Sequence, residues 1–295
     1  MIPRFAILLA GFDGHKYLYE QVFSLLNQKS VSVDIFIRVD GNSLIFKNMV
    51  IQLASDYENI HFIQGDVISS SGMNFYKLIL GMKDTTFDYY ALCDQDDIWE
   101  DTKLQRAHRC LADQSVSGYS SGFTTFNLKG SKKRHVNGQQ CKFDYFFQSS
   151  GPGCTFVFDR AGFTFLQTYL TQHQELLSML AHDWLIYFIF RANDLGWYID
   201  AESHLLYRQH ASNVAGVNSG FAAKIKRLKL LFNGWYISDL TLLMSFARRG
   251  GWVPRFSSPF QLRRSKAQSL FIWLYYWCFF KNRLELDIDS ESSCE

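Results

Sequence analysis

The stretch that most constrains this chain is Tyr89-Tyr90-Ala91-Leu92-Cys93-Asp94-Gln95-Asp96-Asp97-Ile98-Trp99. Its first half reads as a buried strand, and its second half sets three carboxylates within four positions where the apolar run stops. Acids this close repel one another unless a cation or a set of donors neutralises them, so a divalent metal is the economical explanation. In an extended backbone Asp94 and Asp96 point to the same side and can face one ligand. The plain alternative is a solvated acidic turn in which Asp97 caps the next helix. For an isolated D-x-D that alternative wins, because short motifs recur by chance. The rest of the chain has to decide.

Two earlier apolar runs of strand length end in a similar way. Phe5-Ala6-Ile7-Leu8-Leu9-Ala10 is broken by residues 11–14, and Val33-Asp34-Ile35-Phe36-Ile37-Arg38-Val39 by Asp40-Gly41-Asn42-Ser43. Between them Leu18, Val22, Leu25 and Leu26 recur at helical spacing; a second helical stretch runs through Met49, Leu53 and Tyr57 to a short strand at residues 60–63, and a third spans residues 74–82. This alternation predicts an α/β fold: a mostly parallel sheet flanked by helices on both faces, with ligands beyond the carboxyl ends of its strands. Residues 11–14, 40–43 and 94–97 all lie at such ends, so one shared crevice is expected. A chain of 295 residues, 47% hydrophobic and 20% charged, is long and apolar enough for a substantial core, and these values exclude a disordered chain.

In the second half, Thr102-x-x-Gln105 has capping-box spacing and predicts a helix to about Asp113, and the basic residues 129–142 read as a solvated loop. Gly153-Cys154-Thr155-Phe156-Val157-Phe158 reads as a core strand, reached through Gly151-Pro152-Gly153, for which an unusual backbone is expected. His182-Asp183 opens a strongly apolar helix, and residues 196–199 and 205–210 read as two strand-like pieces. A compositional shift near residue 220 divides the chain into a globular body and a basic, aromatic region 220–295. That last region holds Lys224, Lys226, Arg227 and Lys229, then Arg263, Arg264 and Lys266 beside the aromatic run 271–280. A basic amphipathic surface with interfacial aromatics suits anionic lipid, and the alternative is a helical subdomain packed on the body. The most apolar window, residues 270–280, is about half of the ~20 residues a spanning helix needs. No nucleic-acid partner is expected, since the basic segments lack a recognisable module. The six cysteines show no C-x-x-C spacing, which points to free thiols in a reducing compartment.

The carboxylates after residue 93 suit Mg2+ or Mn2+ holding a diphosphate, because hard cations take oxygen ligands and absorb the charge that develops on a leaving phosphate. Asp40 can accept from a nucleobase or ribose, or simply close an Asx-turn. Asp183 can serve as a first-turn helix acid, yet it is also the best-placed carboxylate of the second half to take a proton from a hydroxyl. His210 reads as a structural histidine or as the imidazole that completes a metal site.

Taken in order, Leu9-Ala10-Gly11-Phe12-Asp13-Gly14-His15-Lys16-Tyr17-Leu18, Val39-Asp40-Gly41-Asn42-Ser43, Cys93-Asp94-Gln95-Asp96-Asp97-Ile98-Trp99, Gly153-Cys154-Thr155, His182-Asp183-Trp184 and Tyr207-Arg208-Gln209-His210-x-x-Asn213-x-x-Gly216 resemble family 2 inverting glycosyltransferases, closest to the rhamnosyltransferase-like branch that builds bacterial surface polysaccharides. The resemblance covers residues 1 to about 217 and implies a GT-A fold, with nucleotide sugar bound by 1–114, acceptor by 115–219 and a helical region after 220. It implies metal ligation by Asp96 with Asp94 and His210. Donor binding falls on Ala10, Phe12, Asp13, Asp40, Asp94 and Gln95, acceptor binding on Asp97, Trp99, Gly153, Cys154, His182 and Trp184, and general-base catalysis on Asp183. The implied donor is a dTDP- or UDP-linked rhamnose or other hexose, the acceptor a saccharide or lipid-linked saccharide, and the location cytoplasmic, peripheral on the inner face of the membrane. Two departures fall in the base-binding region: Gly11-Phe12-Asp13-Gly14 replaces the usual Thr-Tyr-Asn-Gly, and Val39 replaces the first of two acids. The competing readings are a nucleotidyltransferase, and a non-catalytic saccharide-binding or membrane scaffold that keeps the fold.

Overall fold

The computed structural model describes residues 2–68, 70–84, 86–127, 130–210, 234–251 and 258–275. The apolar run at the N-terminus forms β1 (Arg4–Gly11), followed by α1 (Leu18–Leu26), β2 (Ser32–Val39), α2 (Leu44–Asp56), β3 (Ile60–Gln64), α3 (Ser71–Gly81) and β4 (Tyr89–Asp94). These strands lie side by side as β3-β2-β1-β4, all parallel. Register then sets the crevice: Ala10 stands opposite both Arg38 and Asp94, so the three strands end at one edge.

After β4 the chain forms β5 (Ile98–Trp99), α4 (Lys103–Gln114), β6 (Gly118–Phe126), β7 (Lys132–His135), β8 (Val157–Asp159), α5 (Arg160–Gln172), α6 (His182–Ala192) and β9 (Trp197–Arg208). These strands extend the same sheet in the order β8-β6-β9-β5, with β7 on β6. β8 is antiparallel to β4 and to β6, whereas β6 and β9 are parallel. The sheet is therefore mixed beyond β4.

Because alternate residues of a strand face opposite sides, β1 feeds two cores. Ala6 and Leu8 pack in one cluster with residues of α3, α5 and α6; Phe5, Ile7 and Leu9 pack in the other with residues of α1, α2 and α4. Strands buried on both faces read as continuous apolar runs, which is why β1 and β4 were legible. Two further helices, α7 (Gly234–Arg249) and α8 (Lys266–Tyr275), belong to the first cluster through Tyr236, Leu240, Leu243, Met244, Ala247 and Ile272.

Several expectations are corrected. Residues 132–135 of the expected loop form β7, paired with β6 along its solvated side. Gly153–Thr155 is a 3-10 turn, not strand, closed by Phe156 N–H donating to Gly153 O at 2.8 Å; the strand is limited to Val157–Asp159. Neither Gly151 nor Gly153 takes a positive φ, so no unusual backbone is needed there. Residues 196–210 hold one continuous strand, because its middle pairs with β6 across an irregular register. Thr102 does not cap α4: its hydroxyl pairs with His204 Nδ1 at 3.3 Å.

Two basic C-terminal residues within the described part turn inward, while Lys266 stays exposed. Half-buried Arg263 donates to Phe147 O at 3.0 Å, and Arg264 donates to Asp144 Oδ2 at 3.1 Å and to Ser149 O. Lys224, Lys226, Arg227, Lys229 and residues 276–280 lie outside the described residues, as do Asn213 and Gly216. Among the described residues no helix is long and apolar enough to cross a membrane.

Candidate active site

The acidic loop is held from below. Arg208, buried at the end of β9, donates from its backbone N–H to Asp97 Oδ1 at 3.2 Å and from Nε to Asp96 O at 2.8 Å, and it pairs with Glu20 of α1. Its guanidinium sits over the rings of Tyr17 and Phe126 at 4.5 and 4.6 Å. An always-charged planar group fixed this way sets the loop's shape and offsets part of its charge. His210, two residues further on, brings Nε2 to 2.7 Å from Asp96 Oδ2.

The three carboxylates differ sharply. Asp97 is 1% exposed, its Oδ2 has no partner among the described residues, and burial pushes its pKa well up. It is neither a helix cap nor a surface acid, so the acceptor contact expected of it is corrected to a support beneath the crevice. Asp94 is half-buried; burial, then Asp96 and Asp183, push it up to about 7. Ligand atoms of Asp94, Asp97 and Cys154 lie within 4.8 Å of one another. Burial holds the Cys154 thiol well above its ordinary value, hence protonated, so the oxygen donors are the metal-ready part of the group. A half-buried carboxylate with a raised pKa and a buried orphaned carboxylate oxygen are what a hard divalent cation relieves, and the oxygens of Asp94 and Asp97, with Asp96 beside them against His210, fit Mg2+ or Mn2+.

On the donor side Asp40 is buried, and its Oδ1 accepts from Ile68 N–H at 2.5 Å. The bond reaches across the sheet edge, so it is not an Asx-turn. Asp40 Oδ2 has no partner among the described residues. Arg38 donates to Asn74 Oδ1 at 2.8 Å, and Asn74 donates to Gly11 O at 3.2 Å, which ties β2 to the first loop. Gln95 locks that loop to the acidic one: its Oε1 accepts from Phe12 N–H at 2.7 Å and its Nε2 donates to Phe12 O at 2.8 Å. Phe12 itself is 50% exposed, and Asp13, with φ 48°, pairs with His15 Nδ1 at 3.2 Å. A cavity of about 380 Å3 opens between the β2–α2 turn and the end of β3, lined by Ser43, Lys47, Phe62, Gln64 and Val67 among others; no residue of the acidic loop lines it.

On the acceptor side His182 and Asp183 start α6. His182 stacks on Phe75 with ring centroids 4.3 Å apart, and burial lowers it to about 3, so it is neutral. Gly153 lies under it so closely that a Cβ would stand 2.3 Å from His182 Nε2. Asp183 is half-buried, accepts from Trp184 N–H at 2.7 Å, and is pushed up to about 6 by burial. Trp184 and Trp99 are corrected. Trp184 is 3% exposed, donates to Tyr145 O at 2.9 Å and stacks on Tyr236; Trp99 is 2% exposed under the ammonium of Lys103, 3.4 Å from its ring centre. Both rings belong to the core, out of an acceptor's reach.

The structure thus brings Asp94, Asp97 and Cys154 together, pairs Asp96 with His210, and sets Asp183 near enough to Asp94 for its charge to be felt there. Sequence reasoning missed Arg208, Tyr17 and Lys103. Arg208 lay inside a motif already singled out, but nothing local says that its side chain turns back to a loop a hundred residues earlier.

No family model matches the chain. It is 33% identical over 273 residues to the dTDP-rhamnosyl transferase RfbG of Shigella flexneri, covering 91% of this chain and 93% of that one. Its fold is similar to that of S. aureus TarS 1-349 in complex with UDP-GlcNAc, with a TM-score of 0.50 at 12% identity over 85% of this chain and 73% of that one. The architecture is a GT-A fold.

Proposed function

The chain belongs to the rhamnosyltransferase-like glycosyltransferases, and on that premise we propose that it moves rhamnose from a dTDP-sugar to a saccharide or lipid-linked acceptor, with inversion, in surface polysaccharide synthesis. The observation that carries this is the pair of sites on one crevice: an acidic, metal-ready cluster at the end of β4 and, within electrostatic reach of it, an acid at the start of α6 whose pKa of about 6 suits a base. The donor named for RfbG supports the choice of dTDP.

Asp183 is ionised at neutral pH, yet burial makes it more basic than an ordinary carboxylate, and it takes the proton of the acceptor hydroxyl as that oxygen attacks the anomeric carbon. One displacement from the face opposite the nucleoside diphosphate needs one base and inverts the centre. His182, neutral and stacked, keeps a second charge out of this space. Asp40 Oδ2, buried and unpartnered, is the acceptor for an N–H of a pyrimidine base. Mg2+ or Mn2+ held by Asp94 and Asp96, with His210 beside Asp96, would stabilise the charge developing on the departing diphosphate. Peripheral contact with anionic lipid is supported by exposed apolar side chains of the C-terminal segment, namely Trp235, Phe260, Leu270 and Leu274.

Release of dTDP from dTDP-rhamnose tests the reading. Asp96→Ala is expected to abolish the response to Mg2+ or Mn2+ and to lower turnover by roughly 10²–10³-fold. Release of pyrophosphate instead would indicate nucleotidyl transfer, and a metal response that survives in the variant would remove Asp96 from the site. Product with retained anomeric configuration would contradict the single displacement. In a thermal-shift comparison with metal present, dTDP or UDP should raise Tm more than GDP or CDP, since ligand stabilisation follows affinity.

A further inference from the structure

Near its end β2 buries a charge. Arg38 is 4% exposed, and the acceptors it reaches among the described residues are neutral: Nη1 donates to Asn74 Oδ1 at 2.8 Å and Nη2 to the backbone oxygen of Asp66 at 3.2 Å. Taking a guanidinium out of water against neutral acceptors costs free energy that an apolar side chain of similar length would not, so packing alone does not call for it. The group lies against Gly65, where a Cβ would stand 2.2 Å from the guanidinium carbon. Two residues on from Arg38, Asp40 holds the other end of the same short segment, its Oδ1 accepting from Ile68 N–H at 2.5 Å. Residues 65–68 are therefore pinned to β2 at both ends.

Arg38 also reaches the first loop, through α3. Asn74, 2% exposed, accepts from Arg38 on Oδ1 and donates from Nδ2 to Gly11 O at 3.2 Å, and that same oxygen accepts from Asp40 N–H at 2.8 Å. One buried guanidinium thus holds both walls that flank Asp40: residues 65–68 directly, and the loop after β1 by way of Asn74. We infer that Arg38 is a positioning residue for the donor: it fixes the segment whose N–H occupies Asp40 Oδ1, which leaves Asp40 Oδ2 turned to the nucleobase. This rests on the reading of Asp40 as the acceptor for a base N–H. Gly65 and Asp66 also line the cavity of about 380 Å3 at this edge, so the segment that Arg38 grips is a wall of open space. A planar fork can serve two acceptors at once, which the point charge of a lysine does less rigidly. Since these contacts all lie in the donor half, their loss should be read in nucleotide affinity and not in the chemical step.

Full-length wild type, Arg38→Met, Arg38→Lys, Asn74→Ala and Asp40→Asn are compared by residue-resolved amide hydrogen exchange, by calorimetric titration with dTDP and by dTDP release from dTDP-rhamnose. The amides of Ile68 and Phe12, bonded to Asp40 and Gln95, report on the two walls. In Arg38→Met both should exchange roughly 10-fold faster or more while those of β6 and α5 are unchanged; dTDP should bind roughly 10-fold more weakly, with kcat within about twofold. Arg38→Lys keeps the charge without the fork, should fall between the two, and supplies the same readouts should the methionine variant not fold. Asn74→Ala should free Phe12 and leave Ile68 protected, and the reverse pattern would overturn the relay through Asn74. Unchanged exchange at Ile68 in the Arg38 variants overturns the inference, as does unchanged dTDP affinity; so does an equal loss of protection in β6 and α5, which would mark a general structural role. Asp40→Asn keeps one oxygen for Ile68 and loses the second acceptor, so unchanged dTDP affinity there would instead overturn the base-binding reading of Asp40 and leave the anchoring result to the exchange data.

Discussion

The parallel half of the sheet and the half beyond β4 build their parts of the site by different means. In β3-β2-β1-β4 each contributing loop follows a strand, and register puts Gly11, Asp40 and Asp94 at one edge. Beyond β4, Asp183 stands at a helix start packed against α3, while Arg208 and His210 reach back from β9 to the acidic loop. The first half is organised by neighbours along the sheet, the second by packing between segments far apart in the chain. A change in the donor half should act locally on binding; one in the acceptor half should act on turnover or on the integrity of the body.

The sharpest way to break that contrast is Asp183→Asn, expected to lower kcat by roughly 10²–10⁴-fold with dTDP affinity, read by calorimetry, unchanged. A matching loss of nucleotide affinity would mean that the two halves are not separable. Next in size is the effect of pH. With Asp183 at about 6, against an ordinary 3.8, kcat should fall about fivefold between pH 6 and pH 5. The stability contribution of the same group has the opposite sign. The folded state holds this proton more tightly than the unfolded chain, so between about pH 4 and pH 6 stability falls as pH rises and activity grows. A pH titration in which both rise together would show that another group controls the limb.

Smaller effects compare ion pairs in the two halves. Asp144, fully buried, is held by Arg191 and Arg264, whereas Lys29 and Asp101 pair at 2.5 Å with side chains 67% and 43% exposed. Arg264→Ala should cost about 2–3 kcal/mol in urea unfolding because it leaves a buried carboxylate short of a partner, and Lys29→Ala should fall within roughly 0.5 kcal/mol. Equal losses would mean that α8 and the segment before it are not anchored as drawn. Smallest is Gly14→Ala, whose Cβ would stand 2.2 Å from Gln95 Oε1. It should displace the side chain that locks Phe12 and raise the KM for donor roughly three- to tenfold with kcat nearly unchanged. A fall in kcat alone would place Gln95 in the chemistry instead.

How much could be read in advance follows the same division. β1 and β4 were visible because strands covered on both faces are unbroken apolar runs, β2 because Val33, Ile35 and Ile37 alternate, and the carboxylates near their ends stood out against them. The turn at Gly153–Thr155 was not visible, since a short apolar run has no periodicity to separate a 3-10 turn from a strand. Residues 132–135 looked like a loop because an edge strand with both sides near solvent carries no apolar alternation. Trp184 and Trp99 were assigned to the acceptor from their place beside catalytic motifs, but neighbours along a strand face opposite ways and those along a helix are turned by about 100°, and both rings went to the core.

By itself the sequence determined the strand–helix alternation of the first hundred residues, the acidic loop after β4 and the order of the motifs, because these depend on local periodicity and on which residues can follow a buried strand. Only the tertiary structure decided that Asp94, Asp97 and Cys154 meet, that Arg208 grips the loop from the last strand, and that Arg263 and Arg264 turn inward. The physical reason is that long charged side chains and buried acids take their partners from whatever the folded chain brings near them, and nothing in their immediate sequence names those partners.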